Sequence, residues 1–236
     1  MGVVVNNVTK SFGDKIVLKV ENYSINNGEI VGLVGNNGAG KTSLFRIMLD
    51  LLKPDSGNVA INDCVTNESE EWKSFTGAFV DSGFLIDYLT PDEYFSFIGK
   101  ISGMSSTEIN ERLDAFSGFM GGELLGNNTL IRNLSAGNKQ KVGIVGAMLT
   151  KPDVLILDEP FNFLDPSSQL AMKQLLQKYN HDNGATILVS SHNLSHTLDI
   201  CTRVTLLEHG VIVKDADKKD VDITAEIEQY FLGHIS

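Results

Sequence analysis

The run Gly35-Asn36-Asn37-Gly38-Ala39-Gly40-Lys41-Thr42 follows an apolar stretch, Ile30-Val31-Gly32-Leu33-Val34. It leads into Lys41 to Leu52, where Leu44, Ile47, Met48 and Leu51 recur at helical spacing. A G-x-x-x-x-G-K-[ST] pattern between a strand and a helix constrains this chain more than any other feature. A buried strand that turns at once into a helix belongs to an α/β architecture. The glycines let the link take positive φ and bring successive N–H groups round one anion. The helix starting near Gly40 adds the positive end of its dipole, Lys41 a point charge, and Thr42 a hydroxyl for Mg²⁺, with Ser43 in the same turn. Gly35 to Ser43 therefore reads as a nucleotide phosphate site.

Around this unit the pattern predicts Val3 to Val8 and Ile16 to Val20 as strands split at Gly13-Asp14, with Asn26-Asn27-Gly28 turning into Glu29 to Val34. Lys53-Pro54-Asp55-Ser56-Gly57 ends the helix before a short strand over Asn58 to Ile61. Thr76 to Val80 reads as a strand. From Thr90-Pro91 to about Lys151 the pattern turns helical, with candidates at Glu93 to Ile101 and Thr107 to Phe119, and Gly121-Gly122 and Gly126 reverse the chain. Val154 to Leu157 and Thr186 to Val189 are short apolar strands separated by a helix with Asp165 as N-cap and Pro166 at its first position. Strand, helix, strand implies parallel pairing. A hairpin over Val204 to Leu207 and Val211 to Lys214 and a helix over Ile223 to Leu232 complete the pattern.

The expected architecture is a mostly parallel sheet of the P-loop NTPase type, with an N-terminal antiparallel β part and an inserted helical part. Residues 1–236 read as one domain, with a core of about 1–89 and 152–236 and a helical lobe of about 90–151.

Val154-Leu155-Ile156-Leu157-Asp158-Glu159-Pro160 places two acids at the end of an apolar strand, the edge where α/β sheets hold ligands. Strand alternation points them apart. Asp158 is expected to hold Mg²⁺ through water, and Glu159 to polarise or position the attacking water. With 19 Lys and Arg against 30 Asp and Glu, the net charge of -11 opposes binding to nucleic acid. Cys64 and Cys201 stand far apart without C-x-x-C spacing, no secretory signal is recognised, and reduced cytosolic thiols are expected. The apolar runs are far shorter than the ~20 residues that cross a bilayer. Work at a membrane would require another chain to span it.

Leu134-Ser135-Ala136-Gly137-Asn138, whose Ser135 lies 23 residues before Asp158, resembles the L-S-G-G-Q signature of ABC (ATP-binding cassette) ATPases. It departs from the pattern at Ala136 and Asn138. Physically it is a second anion site, with the Ser135 hydroxyl, the Gly137 amide and a helix beginning near Asn138. The resemblance implies that this site serves the nucleotide of a partner subunit. Further elements follow in the family's order from Val3 to about Val213. Phe12 resembles the aromatic that stacks on adenine, with a core phenylalanine as the alternative, and Val17 would pack beside it. Asp165 in Asn162-Phe163-Leu164-Asp165-Pro166 resembles the residue that approaches the dimer partner, a role compatible with helix capping. His192 resembles the switch histidine that touches the γ-phosphate and links it to Glu159. Asp81 stands where the family usually carries Gln; its carboxylate can ligate Mg²⁺ but is one methylene shorter.

The resemblance further implies ATP and Mg²⁺ as cofactors, ATP hydrolysis, and a homodimer or heterodimer of cassettes. Each phosphate loop would face the partner's Ser135–Gly137 site. It also implies a transmembrane permease subunit and a cytoplasmic, peripheral location on the inner face of the membrane. The brevity of the chain after the hairpin leaves no room for a regulatory domain and resembles small export cassettes, so export is the expected direction. A soluble ABC protein acting on ribosomes or DNA is disfavoured by the acidic balance and the length. A P-loop kinase or GTPase is disfavoured by Ser135 to Gly137 and His192.

Overall fold

The computed structural model of the protein describes residues 2–122 and 124–219, together with 225, 227 and 229. The helix expected over Ile223 to Leu232 lies outside the described residues, apart from 225, 227 and 229, which are helical.

Strands β1 (Val3–Phe12) and β2 (Lys15–Ile25) form a hairpin. With β4 (Ser56–Ile61) and β5 (Cys64–Val65) they make an antiparallel sheet ordered β2-β1-β4-β5. Near the hairpin tip the register jumps from Lys10↔Leu18 to Ser11↔Ile16, which leaves Val17 as an extra residue on β2.

The second sheet holds β3 (Ile30–Val34), β6 (Thr76–Phe79), β7 (Val154–Leu157), β8 (Thr186–Ser191), β9 (Arg203–Glu208) and β10 (Val211–Asp217), in the order β10-β9-β3-β8-β7-β6. Its inner pairs are parallel and β10 joins antiparallel. Strands β3, β7 and β8 are buried throughout, as parallel strands covered on both faces must be.

Alternation along these strands divides the core. Val31, Leu33, Ile156 and Leu188 pack with helix α1 (Lys41–Met48) and the antiparallel sheet, while Ile30, Val34, Leu155 and Val189 face the other helices. Those helices are α2 (Pro91–Ile101), α3 (Ser106–Asp114), α4 (Ser117–Met120) and α5 (Ala136–Met148), all between β6 and β7, and then α6 (Pro166–Asn183) and α7 (Leu194–Ile200).

Three expectations shift. Helix α1 stops at Met48 rather than Leu52, because Asp50 turns left-handed at φ 52° and the Leu51 and Leu52 amides both bond back to the Arg46 carbonyl. The helix expected over Thr107 to Phe119 breaks into α3 and α4, with the Ser117 hydroxyl donating to the Asp114 carbonyl at 2.7 Å. Helix α5 begins at Ala136, two residues before Asn138, because Ser135 itself is the N-cap.

Candidate functional site

Strands β3, β8 and β7 run parallel as neighbours, so their C-terminal ends open on one edge of the sheet. Gly35 follows β3, Asp158 and Glu159 follow β7, and Ser190 to His192 close β8. Topology alone thus gathers residues more than 150 positions apart.

In the loop from Gly35 to Gly40 two glycines have a physical necessity. A side chain at Gly35 would place its Cβ 2.3 Å from the Leu207 carbonyl oxygen, and Gly40 caps α1 at φ 109°. Asn36, Asn37 and Gly38 are exposed, Ala39 is buried, and the Ala39 amide donates to the Asn36 carbonyl. Lys41 is only 6% exposed, and its Nζ donates to the Gly35 carbonyl at 2.7 Å and lies 3.4 Å from Glu159 Oε1. An ammonium so enclosed is held at the centre of the loop, on the surface where phosphate oxygens would meet it.

The Thr42 hydroxyl donates to Asp158 Oδ2 at 2.5 Å, and Ser190 Oγ donates to the other carboxylate oxygen. Burial raises the Asp158 pKa, while the bonds from Ser190 and Thr42 pull the other way. Two hard oxygen donors converging on a desolvated anionic edge fit Mg²⁺, which keeps waters and phosphate oxygens as its remaining ligands. Thr42 and Asp158 would hold it.

Glu159 adopts φ 47°, a left-handed turn that swings its side chain back across the edge. Its amide takes the Ser190 hydroxyl as acceptor at 2.8 Å, and its carboxylate reaches both Lys41 and His192 Nδ1, the latter at 2.9 Å. The structure therefore brings Lys41, Thr42, Asp158, Glu159 and His192 into one connected set. Two members escaped the sequence reading. Ser190 bridges Asp158 to the Glu159 amide, and buried Gln140 on α5 donates to the Glu159 carbonyl at 3.1 Å.

The remaining residues lie around this set. Ser135 Oγ accepts from the Asn138 amide at 3.2 Å, and Gly137 packs against Phe163, whose carbonyl oxygen would be 2.6 Å from any Cβ at 137. Asp165 caps α6, accepting from the Ser168 amide and from the Ser167 and Ser168 hydroxyls, and these bonds hold its carboxyl well below the usual carboxylate range. Phe12 is 55% exposed and Val17 half-buried at the hairpin tip. Asp81 accepts from the Gly83 amide at 2.8 Å and faces Arg46 at 3.7 Å, so its carboxylate is engaged beside the set rather than within it. Gly210, at the turn from β9 to β10, joins two parts of the site. Its amide donates to the Ala39 carbonyl and its carbonyl accepts from the Lys19 amide.

Among the described residues no helix is long and apolar enough to cross a membrane.

The family model described as ABC transporter matches residues 18–162. A methionine import ATP-binding protein of Bacillus thuringiensis, MetN 1, is 34% identical over 225 residues, covering 92% of this chain and 66% of its own length. The chain thus spans just under two thirds of such relatives. An uncharacterized ABC transporter ATP-binding protein of Bacillus subtilis, YcbN, is 33% identical, with 92% of this chain and 69% of its own length covered. Among solved structures, an ATP-binding subunit of an ABC transporter superposes with a TM-score of 0.84 at 26% identity, covering 97% of this chain and 94% of the other. A dimeric bacterial ABC transporter cassette, MJ0796, gives 0.82 at 27% identity, covering 92% and 98%, and has also been captured with ADP and Pi after hydrolysis. The relatives named here for a direction are importers, so the expectation of export finds no support. By its phosphate loop, its sheet order and these likenesses, the chain belongs to the ABC transporter family as an ATP-binding cassette.

Proposed function

We propose that this chain binds ATP with Mg²⁺ and hydrolyses it as one of a pair of cassettes, driving import through a separate transmembrane subunit. The observation that carries the reading is the connected set at one sheet edge, in which Lys41 and His192 both meet the Glu159 carboxylate while Thr42 meets Asp158. The loop amides of Gly35 to Thr42 and Ser43, with the Lys41 ammonium, bind the triphosphate. Phe12 and Val17 receive the base. Thr42 and Asp158 would hold Mg²⁺, which would supply charge neutralisation to the phosphate oxygens, and Asp81 would stand beside that region.

Glu159 then orients a water in line with the terminal phosphate and accepts its proton, with Oε2 kept in place by His192. Gln140 and Ser190 hold the Glu159 backbone so that the carboxylate keeps that aim. Ser135 and Gly137 offer a hydroxyl and an amide at the start of α5 to the nucleotide of the second cassette, a copy of this chain or a similar one, and Asp165 lies along that boundary. The segments 1–89 and 152–236 act as the catalytic core, and 90–151 as the lobe that carries Ser135 and Gly137. The permease holds the assembly on the cytoplasmic face. Import rather than export is inferred from relatives named for methionine import, and the cargo belongs to the permease.

Two variants test the reading by turnover and by size-exclusion chromatography with MgATP. Glu159→Gln is expected to lower kcat by about 100-fold or more while ATP still binds and an ATP-dependent dimer accumulates. Lys41→Ala is expected to lose both. Undiminished turnover in either variant overturns the assignment.

A further inference from the structure

The ladder between β1 and β4 ends at Thr9↔Ser56, three residues short of Phe12. Asp55 continues it with its side chain. Its amide donates to the Thr9 carbonyl at 2.8 Å, its Oδ2 accepts from the Ser11 amide at 2.6 Å, and its Oδ1 takes the Lys10 ammonium at 2.9 Å. One residue thus holds three consecutive positions of β1. On the opposite edge of the same strand the extra residue Val17 disturbs the pairing with β2. A strand tip with a bulge on one side and no partner strand on the other would fray without such a clasp.

What the clasp holds is unusual for a hairpin tip. Phe12 turns its ring out of the sheet at 55% exposure, and the clamped Lys10 ammonium stands 5.7 Å from the ring centroid. One face of the ring is therefore covered by a fixed cation and the other is left for a flat apolar group. The bulge also ties this tip to the phosphate loop, since the Val17 carbonyl oxygen would lie 3.0 Å from a Cβ at Gly40.

We propose that Asp55 is a positioning residue for the base end of the nucleotide site: by clasping Lys10 and Ser11 it fixes Phe12 as a pre-set stacking surface. The inference rests on the proposed ATP site and deepens it. An unclasped ring would sample several rotamers and a frayed backbone, and binding would have to order both. Lys10 and the Ser11 amide hold the Asp55 carboxyl below the usual carboxylate range, so the clasp stays ionised at neutral pH.

The test compares MgATP with magnesium tripolyphosphate, which carries phosphates and no base, by titration calorimetry on the full chain. Asp55→Ala is expected to weaken MgATP about tenfold, about 1.4 kcal/mol, and to leave tripolyphosphate within about twofold. KM for ATP should rise while kcat stays within about twofold. In a Phe12→Ala background Asp55→Ala should add nothing, because the clasp then has no ring to hold. Should Asp55→Ala fail to fold, Asp55→Asn, which keeps an acceptor for Ser11 and removes the ion pair, must shift the same ratio in the same direction. Unchanged MgATP affinity, an equal loss for tripolyphosphate, or a loss that persists without Phe12 each overturns the inference. Wild-type protein that binds tripolyphosphate as tightly as MgATP also overturns it while sparing the phosphate site; protein that binds neither ligand overturns the proposed function itself.

Discussion

Asp158 sits almost out of solvent with its carboxylate taken up by the Thr42 and Ser190 hydroxyls, so its charge is held at a desolvation cost that a neutral residue would not carry. Asp158→Asn keeps the size and can still pair with Thr42 and Ser190. We expect it to raise the Tm measured without nucleotide, by roughly 2–4 °C for each kcal/mol relieved, and to abolish Mg²⁺-dependent turnover. A lower Tm would show that the anion is stabilised by more than the two hydroxyls. Asp165 has the opposite sign. Its folded pKa is depressed, so its contribution is present above the ordinary aspartate range and is lost as pH falls through the folded value. Asp165→Ala should therefore lower Tm at neutral pH, with the gap to wild type narrowing in strong acid; a gap constant with pH would exclude the ionised cap as its cause. At this scale the phosphate loop and the two acids were legible because their chemistry demands fixed residue types at fixed spacing. Ser190 and Gln140 were not, since a serine in a strand and a glutamine in a helix have no local signature until the fold places Glu159 between them.

Helix α5 shows how an element is made to fit its place. It is not strongly amphipathic in sequence, yet its interior buries Val142, Gly143, Ile144, Val145 and Gly146. The two glycines are contact points: a Cβ at Gly143 would stand 2.1 Å from the Phe79 ring, and one at Gly146 2.9 Å from the Tyr94 ring. Gly143→Ala gains helix propensity of about 1 kcal/mol but forces the ring aside, and we expect a net loss of about 1–3 kcal/mol in denaturant unfolding. A stabilised variant would mean that Phe79 has room to move. Periodicity located most elements, including β7, α6 and β8 with their parallel pairing, to within a few residues. It missed α7, only seven residues long, and overran α1 and α3, where left-handed Asp50 and the Ser117 hydroxyl end the helices. Such stops depend on single backbone angles and single side-chain bonds, which apolar spacing does not record.

Across the molecule, the two sheets are fastened through Arg203 and Tyr23. Arg203 of β9 pairs with Asp215 and with Glu29, donates to the Ser24 carbonyl of β2, and lies over the Tyr23 ring at 5.5 Å, while the Tyr23 hydroxyl meets Thr205. Gly210 fastens the same sheets beside the phosphate loop. A Cβ there would fall 2.3 Å from the Val17 carbonyl oxygen, on a backbone at φ 81°. Gly210→Ala should therefore pry β2 from the loop, lowering Tm and weakening MgATP together; loss of stability with full affinity would contradict the coupling. The order β10-β9-β3-β8-β7-β6 was beyond sequence reading, because β3 is inserted between strands that follow it by more than 150 residues. Because the Ala39–Gly210–Lys19 bonds run through main chain only, the span from the aromatic perch to the anion cradle is set before any guest arrives. On the proposed reading, a diphosphate left after cleavage would fit that ruler as well as the triphosphate did, so the release of spent fuel would have to be timed by a second cassette drawing away.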